Sequence, residues 1–405
     1  MTQSIESIAK QRWDLIVIGA GPSGALLSHL VARTGASVLL VDKSPFPRHK
    51  VCGSCISAGA VKALEAAGIA KIIVDSGAVA TETLALSDSN QSLRLKLPLG
   101  YALSRKSLDS AIVAEALRSG AHFAANTTAA ITQSLDEHVE VRLKDSAYEA
   151  NVTANVVVVA DGLNGRSLAA LPEFDFKIKA QSKFGAGVVI EDANYDLAPG
   201  VIQMACTNDG YVGIVRVEHG QLDIAAALHA EFSRRQGGAA PAAASILQRC
   251  KFAVPPDLMQ AQWHGTELLT RTRNKVAVRR LFVIGDASGY AEPITGEGMA
   301  WAMWSAVSIS GLILQSIEKW NDHFASRWQE MHTSLIRQRQ ERARLIASTL
   351  DNLPIRSAAL ALLRSIPSLA IPYLRSLSDY PDPRSFIGNL VTTQIHEPDT
   401  CQRIS

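Results

Sequence analysis

The chain has 405 residues, of which 47% are hydrophobic and 19% are charged, so a disordered chain is excluded and two or three domains are expected. Its 40 basic and 38 acidic residues leave a net charge of +2, which offers no electrostatic surface for nucleic acid. We therefore expect a small-molecule partner. The most apolar stretches are strand-length, shorter than the roughly 20 residues that a bilayer requires, and no secretory leader is recognisable. A cytoplasmic location is expected.

The first element is a strand–helix–strand unit between Trp13 and Asp42. Its apolar runs show no alternation, which favours a parallel sheet covered on both faces. Between the first strand and the helix lies a Gly-x-Gly-x-x-Gly turn formed by Gly19, Gly21 and Gly24. Such a turn lets backbone N–H groups at a helix N-terminus approach a pyrophosphate, and Asp42 is placed to accept a ribose hydroxyl. The unit therefore predicts a dinucleotide site.

The following segments alternate between two kinds of pattern. Strand-like alternation or apolar runs, with a turn at 88–90, occur at residues 78–97, 129–152, 156–160, 184–227 and 276–284. Helical periodicity occurs at residues 107–119, at 298–317 and in most of the chain beyond 320.

This order predicts an α/β protein in which a Rossmann-type dinucleotide-binding domain is interleaved with an antiparallel-sheet substrate domain, plus a C-terminal helical segment. The expected dinucleotide-binding domain comprises residues 1–75, 101–170 and 276–325. The expected substrate domain comprises residues 76–100 and 171–275, and the helical region covers 326–405.

A second glycine motif follows the apolar strand at 281–284. It consists of Gly285 and Asp286, then Gly296 and Gly298 at the start of a helix. This resembles the second FAD fingerprint of the glutathione-reductase-type flavoproteins. The resemblance implies that Asp286 holds the ribityl chain and that the helix points its N-terminus at the flavin. A helix N-terminus there stabilises the negative charge of reduced flavin.

A third element is the pair Asp161 and Gly162, which follows another buried strand. It resembles the Asp-Gly motif of the para-hydroxybenzoate-hydroxylase-like flavoproteins, although the residues after it depart from the usual spacing. Arg105 and Asp109 resemble the segment of that group whose arginine meets the FAD pyrophosphate. Each motif is weak alone because Asp-Gly is usually a plain turn and such an arginine is usually solvated. Their shared order favours FAD over NAD.

Residues 47–53, which include Arg48 and Cys52, and the run 293–298 resemble segments of the geranylgeranyl reductase family. That family implies an FAD enzyme that reduces double bonds of prenyl chains, and its superfamily also contains monooxygenases and halogenases. One departure concerns the family's Tyr-x-Trp-x-Phe-Pro stretch. Of it, only Tyr211 remains here. The prenyl substrate therefore does not transfer automatically.

These resemblances and the glycine motifs together define the expected site; no catalytic residue and no metal ligand is assigned. The residues expected to bind FAD are Gly19, Gly21, Pro22, Ser23, Gly24, Asp42, Lys43, Arg48, Cys52, Arg105, Asp161, Gly162, Gly285, Asp286, Gly296, Gly298 and Met299. The residues expected to line the substrate pocket are Cys52, Cys55, Tyr211, Tyr290 and Pro293. Cys52 and Cys55 also form a Cys-x-x-Cys pair, so a redox dithiol is a weaker alternative to pocket lining.

The sequence thus predicts an FAD-dependent oxidoreductase that acts on a hydrophobic unsaturated or aromatic small molecule. A flavin reductase is the first hypothesis, with NAD(P)H or another donor as reductant. The alternative is a monooxygenase that uses NAD(P)H and O₂ to hydroxylate a phenolic or polyketide-like compound. Halogenation is a minor alternative, and a flavin-bearing scaffold or sensor is the remaining one. Because the cofactor carries the hard chemistry, the motifs do not separate these reactions.

The C-terminal segment from Arg327 to Arg375 contains eight arginines and three acidic residues, interleaved with apolar runs. Such a tail suits peripheral contact with an anionic membrane or a cover over a lipid-like substrate. The simpler interpretation is a set of amphipathic helices packed on the flavin domain. Prolines at 354, 367 and 372 favour that interpretation because they interrupt any single long helix.

Overall fold

The protein is described by a computed structural model that covers residues 4–191, 194–292 and 294–387. Its strands are β1 (Trp13–Ile18), β2 (Val38–Val41), β3 (Cys55–Ile56), β4 (Val79–Ser87), β5 (Ser92–Ala102), β6 (His122–Ala124), β7 (Thr128–Ser134), β8 (Val139–Lys144), β9 (Glu149–Val159), β10 (Phe176–Ile178), β11 (Phe184–Ile190), β12 (Val201–Thr207), β13 (Gly210–Arg216), β14 (Leu222–Leu228), β15 (His264–Leu268), β16 (Arg271–Arg273), β17 (Ala277–Val278), β18 (Leu281–Val283) and β19 (Gly289–Tyr290).

Helices cover the faces of the sheets and form the C-terminal region. They are α1 (Ile5–Ile8), α2 (Pro22–Ala32), α3 (Ala58–Ala66), α4 (Lys71–Asp75), α5 (Arg105–Arg118), α6 (Ala230–Gln236), α7 (Ala239–Arg249), α8 (Gly298–Glu318), α9 (His323–His332), α10 (Gln338–Asp351), α11 (Leu353–Ser365), α12 (Ile371–Ser376) and α13 (Arg384–Ile387).

The first sheet is parallel along β18, β9, β1, β2 and β6, with β17 added antiparallel at one edge. Ile18 of β1 pairs with Val159 of β9, which in turn lies opposite Val283 of β18. These strands are apolar because both of their faces are covered, as their unbroken apolar runs predict. The register brings the ends of the three strands to one edge of the sheet.

Helices α2 and α8 form the interior of this domain. All eleven residues of α2 are buried, and α8 buries Met299, Trp301, Met303 and Trp304. Helix α8 is long and apolar enough to cross a membrane. However, 83% of its most apolar window is buried inside the protein, so it packs as a core helix.

The second sheet has the strand order β15, β11, β14, β13, β12, β4, β5 and β3, and it is antiparallel except where β12 runs parallel to β4. One face packs against α7, with Val212 and Ile224 in the same core cluster as Ala243 and Ile246. The alternation of apolar residues at 78–97 predicts the β4–β5 hairpin, which the pairing confirms. The opposite face of the sheet borders the cavity described below.

The C-terminal helices lie across both parts of the molecule. Buried Arg356 of α11 donates a hydrogen bond to the side chain of Asn208 and lies 3.6 Å from Asp88 at the β4–β5 turn. Further on, the ring of Tyr380 stacks on Trp304 of α8 at 4.6 Å between centroids. The helical region is therefore fixed to the second sheet at one end and to the core helix at the other.

The arrangement confirms an α/β fold with C-terminal helices. Strands of the second sheet come from three separated stretches of chain, because β3 precedes β4 and β5 and the remaining strands follow β9. The sheet therefore includes residues 55–56, which the sequence assigns to the other domain. The domain limits given above stay a prediction.

The crossing of α2 over β1 leaves no room for a side chain at Gly24. A Cβ there would lie 1.9 Å from the carbonyl oxygen of Gly19. We expect Gly24→Ala to lower the free energy of unfolding by about 1–3 kcal/mol, since the helix must move off the sheet. Thermal or denaturant unfolding measures the change. Gly265→Ala is the matched control because its Cβ would meet nothing closer than 4.0 Å. Equal effects of the two substitutions would contradict the explanation.

Candidate active site

Three loops meet where β1, β9 and β18 end. A Cβ on Gly19 would lie 2.3 Å from the carbonyl oxygen of Ala160, which shows how closely the first and second loops approach. A Cβ on Gly285 would lie 2.4 Å from Oγ of Ser23, so the third loop rests on the start of α2. Gly19 and Gly285 also have positive φ angles of 108° and 60°. Glycine is therefore required at both positions by space and by backbone conformation.

Two arginines face the open side of the first loop. The position of a Cβ on Gly21 lies 3.8 Å from Arg105 Nη2 and 3.9 Å from Arg48 Nη2. Asp109 receives two hydrogen bonds of 2.8 Å from Arg105 and lies 3.3 Å from Arg48. Burial lowers the pKa of the Arg105 guanidinium, but the charge and hydrogen bonds of Asp109 raise it by more, so the net shift is upward. A fixed positive pair thus stands beside the N-terminus of α2, where a pyrophosphate binds favourably.

Asp42 lies at the end of β2, next to the same loop. Its carboxylate oxygens accept hydrogen bonds from the backbone N–H groups of Ala20 and Ser44 at 2.8 and 2.9 Å, and Arg48 lies 3.5 Å away. Each oxygen has a second lone pair, so the carboxylate retains capacity for a ribose hydroxyl. Lys43 is exposed, and its predicted role in cofactor binding stays a prediction.

Two charged groups meet at the loop after β9, namely Asp161 within the loop and Lys50 from the segment between β2 and β3. Oδ2 of Asp161 accepts from the backbone and hydroxyl of Ser167, while Oδ1 is buried without a hydrogen-bond partner. Lys50 Nζ is 3.1 Å from the position of a Cβ on Gly162, and the φ of 78° at Gly162 favours glycine there. Burial, and secondarily Arg105, lowers the pKa of Lys50. Sequence reasoning missed Lys50, because a lone lysine in a basic segment carries no distinguishing pattern.

The second glycine motif stands at the opposite side of the site. Gly296 has a φ of 70° and nothing within 4 Å of its Cβ position, so its backbone is open to a bound group. Gly298 begins α8, and Met299 is the next residue of the helix. Tyr290 Oη is 3.6 Å from the Cβ position of Gly298. The N-terminus of a 21-residue buried helix therefore faces the cavity at this point.

A cavity of about 550 Å³ extends from these loops across the free face of the second sheet. Its dinucleotide end includes Gly21, Arg105, Gly162, Asp286 and Gly296. The far end is formed by aliphatic side chains of β4, β5 and β12, namely Leu84, Leu86, Leu95, Leu97, Ile202 and Met204. The alternation of leucines along β4 and β5 signals one apolar face, but only the folded sheet shows that this face borders the cavity.

Four of the five residues expected in the substrate pocket lie in the wall of this cavity: Cys52, Cys55, Tyr211 and Tyr290. The fifth, Pro293, lies outside the described residues. The hydroxyl of Tyr211 is buried without a hydrogen-bond partner, and burial raises the pKa of both tyrosines well above 10. Both phenols therefore stay protonated at any physiological pH.

The two cysteines beside the cavity are free thiols. Burial raises the pKa of Cys52 and of Cys55, so both thiols are protonated at neutral pH. A thiol is a poor nucleophile compared with a thiolate, which favours pocket lining over dithiol redox chemistry. Among the residues that the structure describes, no group of three or more potential ligands is arranged to hold a metal ion.

Asp223 of β14 holds the loop that carries these cysteines. Oγ of Ser54 donates a 2.5 Å hydrogen bond to Oδ2 of Asp223, and Ser54 has a φ of 50°. Burial raises the pKa of Asp223 to about 7. The sequence does not signal this role, because Asp223 lies 169 positions from its partner.

The C-terminal helices complete the cavity. Ile346 and Leu350 of α10, Leu363 of α11 and Tyr373 of α12 line its wall. Lys183, only 1% exposed, bridges Glu292, which lies between Asp286 and Gly296, and Asp351 at the end of α10, at 3.0 and 2.6 Å. This bridge ties the roof to the loop that enters α8. Sequence analysis gives a cover over a lipid-like substrate as one possible role of the C-terminal segment, but it does not identify these residues.

The arrangement fits FAD. A dinucleotide with a flavin ring requires three features that the site has. Two arginines lie beside an open glycine loop, and an open glycine precedes a buried helix. Two buried polar atoms, Arg48 Nε and Asp161 Oδ1, have no hydrogen-bond partner within the protein. The site thus defines the chain as a flavoprotein of the two-fingerprint class. The sequence pattern of the FAD binding domain family matches residues 12–322. The chain belongs to that family and is an FAD-dependent oxidoreductase.

Curated relatives are distant in sequence. A digeranylgeranylglycerophospholipid reductase of Methanosphaera stadtmanae is 24% identical over 315 residues, which cover 75% of this chain and 78% of the relative. Conditioned medium factor receptor 1 of Dictyostelium discoideum is 25% identical over 330 residues, 76% of this chain and 64% of the relative. The match thus spans slightly less than two thirds of the latter protein. The name of the Methanosphaera stadtmanae relative confirms the resemblance to geranylgeranyl reductases.

Solved structures share the fold across several activities. A flavin-dependent brominase has a TM-score of 0.76 at 17% identity, covering 93% of this chain and 97% of its own. A p-nitrophenol 4-monooxygenase from Pseudomonas putida scores 0.74 at 15% identity, covering 92% and 100%. A geranylgeranyl bacteriochlorophyll reductase-like protein from Thermoplasma acidophilum scores 0.73 at 19% identity, covering 94% and 100%. At these identities the likeness shows the fold alone.

Arg105 offers a direct test of the cofactor cradle. We expect Arg105→Met to weaken FAD binding about 10- to 100-fold, because a charge-assisted hydrogen bond is typically worth about 1.5–3 kcal/mol. Titration of the apoprotein with FAD, followed by quenching of flavin fluorescence, measures the dissociation constant. Arg118→Met, on the same helix but 63% exposed, should leave it unchanged. An unchanged FAD affinity in Arg105→Met would remove the arginine from the cradle.

The raised pKa of Asp223 predicts the direction in which the stability of the protein changes with pH. Its pKa rises from 3.8 to about 7 on folding, so the unfolded carboxyl loses its proton first as pH increases. The contribution of Asp223 to the stability of the folded protein therefore falls between about pH 4 and 7, by up to about 4 kcal/mol. We expect Asp223→Asn to abolish this loss, so that its stability relative to the native protein grows across that window. Urea unfolding at several pH values measures it, and the exposed Asp257→Asn serves as control. Parallel pH profiles for the native protein and Asp223→Asn would show that Asp223 does not titrate in this range.

Proposed function

We propose that this enzyme reduces carbon–carbon double bonds in a long hydrophobic substrate, with NAD(P)H or another donor supplying the electrons. The observation that carries the proposal is the continuity of the cavity. It runs from the residues that fit FAD, such as Asp286 and Gly296, to an aliphatic wall built from β4, β5 and the C-terminal helices. An extended apolar chain would contact side chains along the whole of this wall, whereas a small phenol would leave most of them without contacts.

The curated relatives support this choice. The reductase of Methanosphaera stadtmanae is named for a lipid that carries geranylgeranyl chains, and the match covers three quarters of this chain. FAD, when bound, supplies the hydride. The protein's own residues would hold the cofactor through Arg48 and Arg105, exclude water with the aliphatic wall, and present the protonated Tyr211 and Tyr290 to the cavity.

Anaerobic oxidation of the reduced holoenzyme tests the proposal. Farnesol and geranylgeraniol should reoxidise the bound flavin without O₂ and each gain two hydrogen atoms per bond reduced, while their saturated counterparts should not react. Flavin absorbance and mass spectrometry of the product provide the measurement. A reduced enzyme that reacts with O₂ and releases a hydroxylated phenol, while leaving the prenyl alcohols unchanged, would establish the monooxygenase instead.

A variant of the cavity wall separates chain binding from cofactor binding. Leu363 of α11 lines the apolar end, away from the glycine loops. Leu363→Trp should raise the KM for geranylgeraniol about 10-fold or more because the indole occupies space used by the chain. Its FAD affinity should stay unchanged. An unchanged KM for geranylgeraniol in Leu363→Trp would place the chain elsewhere.

A further inference from the structure

The outer surface of the C-terminal helices carries a cluster of exposed aliphatic side chains. Of the twelve large hydrophobic side chains that are exposed in the described part of the chain, six lie between residues 345 and 371. They are Leu345, Ile355, Leu362, Ile366, Leu369 and Ile371, each between 41% and 69% exposed. We call this set the aliphatic surface. Scattered exposed leucines need no explanation, whereas a cluster of this size marks a contact with something apolar.

Helix α11 is apolar on two opposite faces. Its inner face buries Leu360 and contributes Leu363 to the cavity wall. Its outer face presents Ile355, Ala358 and Leu362, which are three and four residues apart and so lie one above another along the helix. A helix on the surface of a soluble protein normally turns a polar face outward. The outer face of α11 therefore lacks the usual adaptation to water.

Five of the six residues of the aliphatic surface lie in one bent stretch of chain, from α11 to the start of α12. Residues Leu353–Ser365 and Pro367–Ser376 together are apolar enough to pass as a membrane span, but the chain bends by 114° between them. A bend of that size suits a segment that lies in the interfacial plane rather than crosses a bilayer.

The charge around the aliphatic surface selects an anionic partner. Residues 352–377 contain three arginines and no acidic residue. Arg356 points inward to Asp88, while Arg364 and Arg375 are exposed. Exposed arginines beside aliphatic side chains match the phosphate groups and acyl chains of an anionic bilayer.

We propose that the aliphatic surface docks on an anionic lipid bilayer and that the apolar substrate chain enters the cavity from it. The C-terminal helices supply both sides of the route. Ile346, Leu363 and Leu374 line the cavity, Leu369 belongs both to the cavity wall and to the aliphatic surface, and the other members of that surface lie outside. A chain that leaves the bilayer there reaches the cavity without crossing water. The docking is inferred from the aliphatic surface and its arginines alone, whereas the entry of the substrate chain rests on the proposed function.

Vesicle flotation of the FAD-loaded, full-length enzyme tests the docking. Phosphatidylcholine vesicles that contain phosphatidylglycerol should float the native enzyme, and salt should weaken this binding. The triple variant Ile355→Gln/Leu362→Gln/Ile366→Gln should bind at least about 10-fold less, because it removes aliphatic contacts with the bilayer. Arg364→Gln/Arg375→Gln should reduce binding to the level of pure phosphatidylcholine. Val74→Gln/Ile178→Gln is the matched control, since it changes side chains that are 66% and 50% exposed elsewhere.

Three results would overturn the docking. The first is a native enzyme that does not float with anionic vesicles, and the second is an equal loss of binding in the triple and control variants. The third is a native dimer that the triple substitution dissociates, which would assign the surface to a second copy.

Turnover separates docking from chain entry. The triple variant should reduce detergent-dissolved geranylgeraniol normally and vesicle-held geranylgeraniol about 10-fold more slowly, in step with its loss of binding. If vesicles bind but no prenyl alcohol is reduced, docking holds and the proposed function fails.

Discussion

Parallel pairing of β9 with β1 on one side and β18 on the other is the constraint on which the site depends. Because the strands are in register at Ile18, Val159 and Val283, their three following loops end at one edge of the sheet. Gly19 and Gly285 are then forced into contacts that tolerate no side chain. The strand register thus brings together the loops that form the cofactor site. Glycine at these positions lets the loops approach one another closely.

The second constraint is electrostatic and joins distant parts of the chain. Lys183 precedes β11, Glu292 lies within the second glycine motif, and Asp351 ends α10, yet the three groups form one bridge. Burial raises the pKa of Glu292, and the lysine opposes this rise. A buried charge of this kind is costly unless it is paired, so removal of any partner should loosen the roof and the flavin-side loop together. The cavity therefore depends on an interaction that none of its local elements contains.

Chemistry at the site is divided between the cofactor and the wall. The thiols and phenols that face the cavity are protonated, and the charged groups cluster at the dinucleotide end. This separation leaves the far end of the cavity lined by aliphatic side chains, and the proposed reductase would select its substrate there by shape and by exclusion of water. The solved structures of the same fold include a brominase, a monooxygenase and a reductase-like protein, so the fold alone does not decide the reaction.

The sequence by itself determined the FAD fold and the glycine loops, because these depend on local patterns: an apolar strand, a glycine turn and a helix start within about 30 residues. It also placed Arg105, Asp161 and Tyr211 at the site through their resemblance to known motifs. Tertiary structure alone decided that Lys50 faces Gly162, that Asp223 anchors the loop at Ser54, and that the C-terminal helices roof the cavity. These contacts join residues far apart in the chain, and only the folded sheets bring such side chains together.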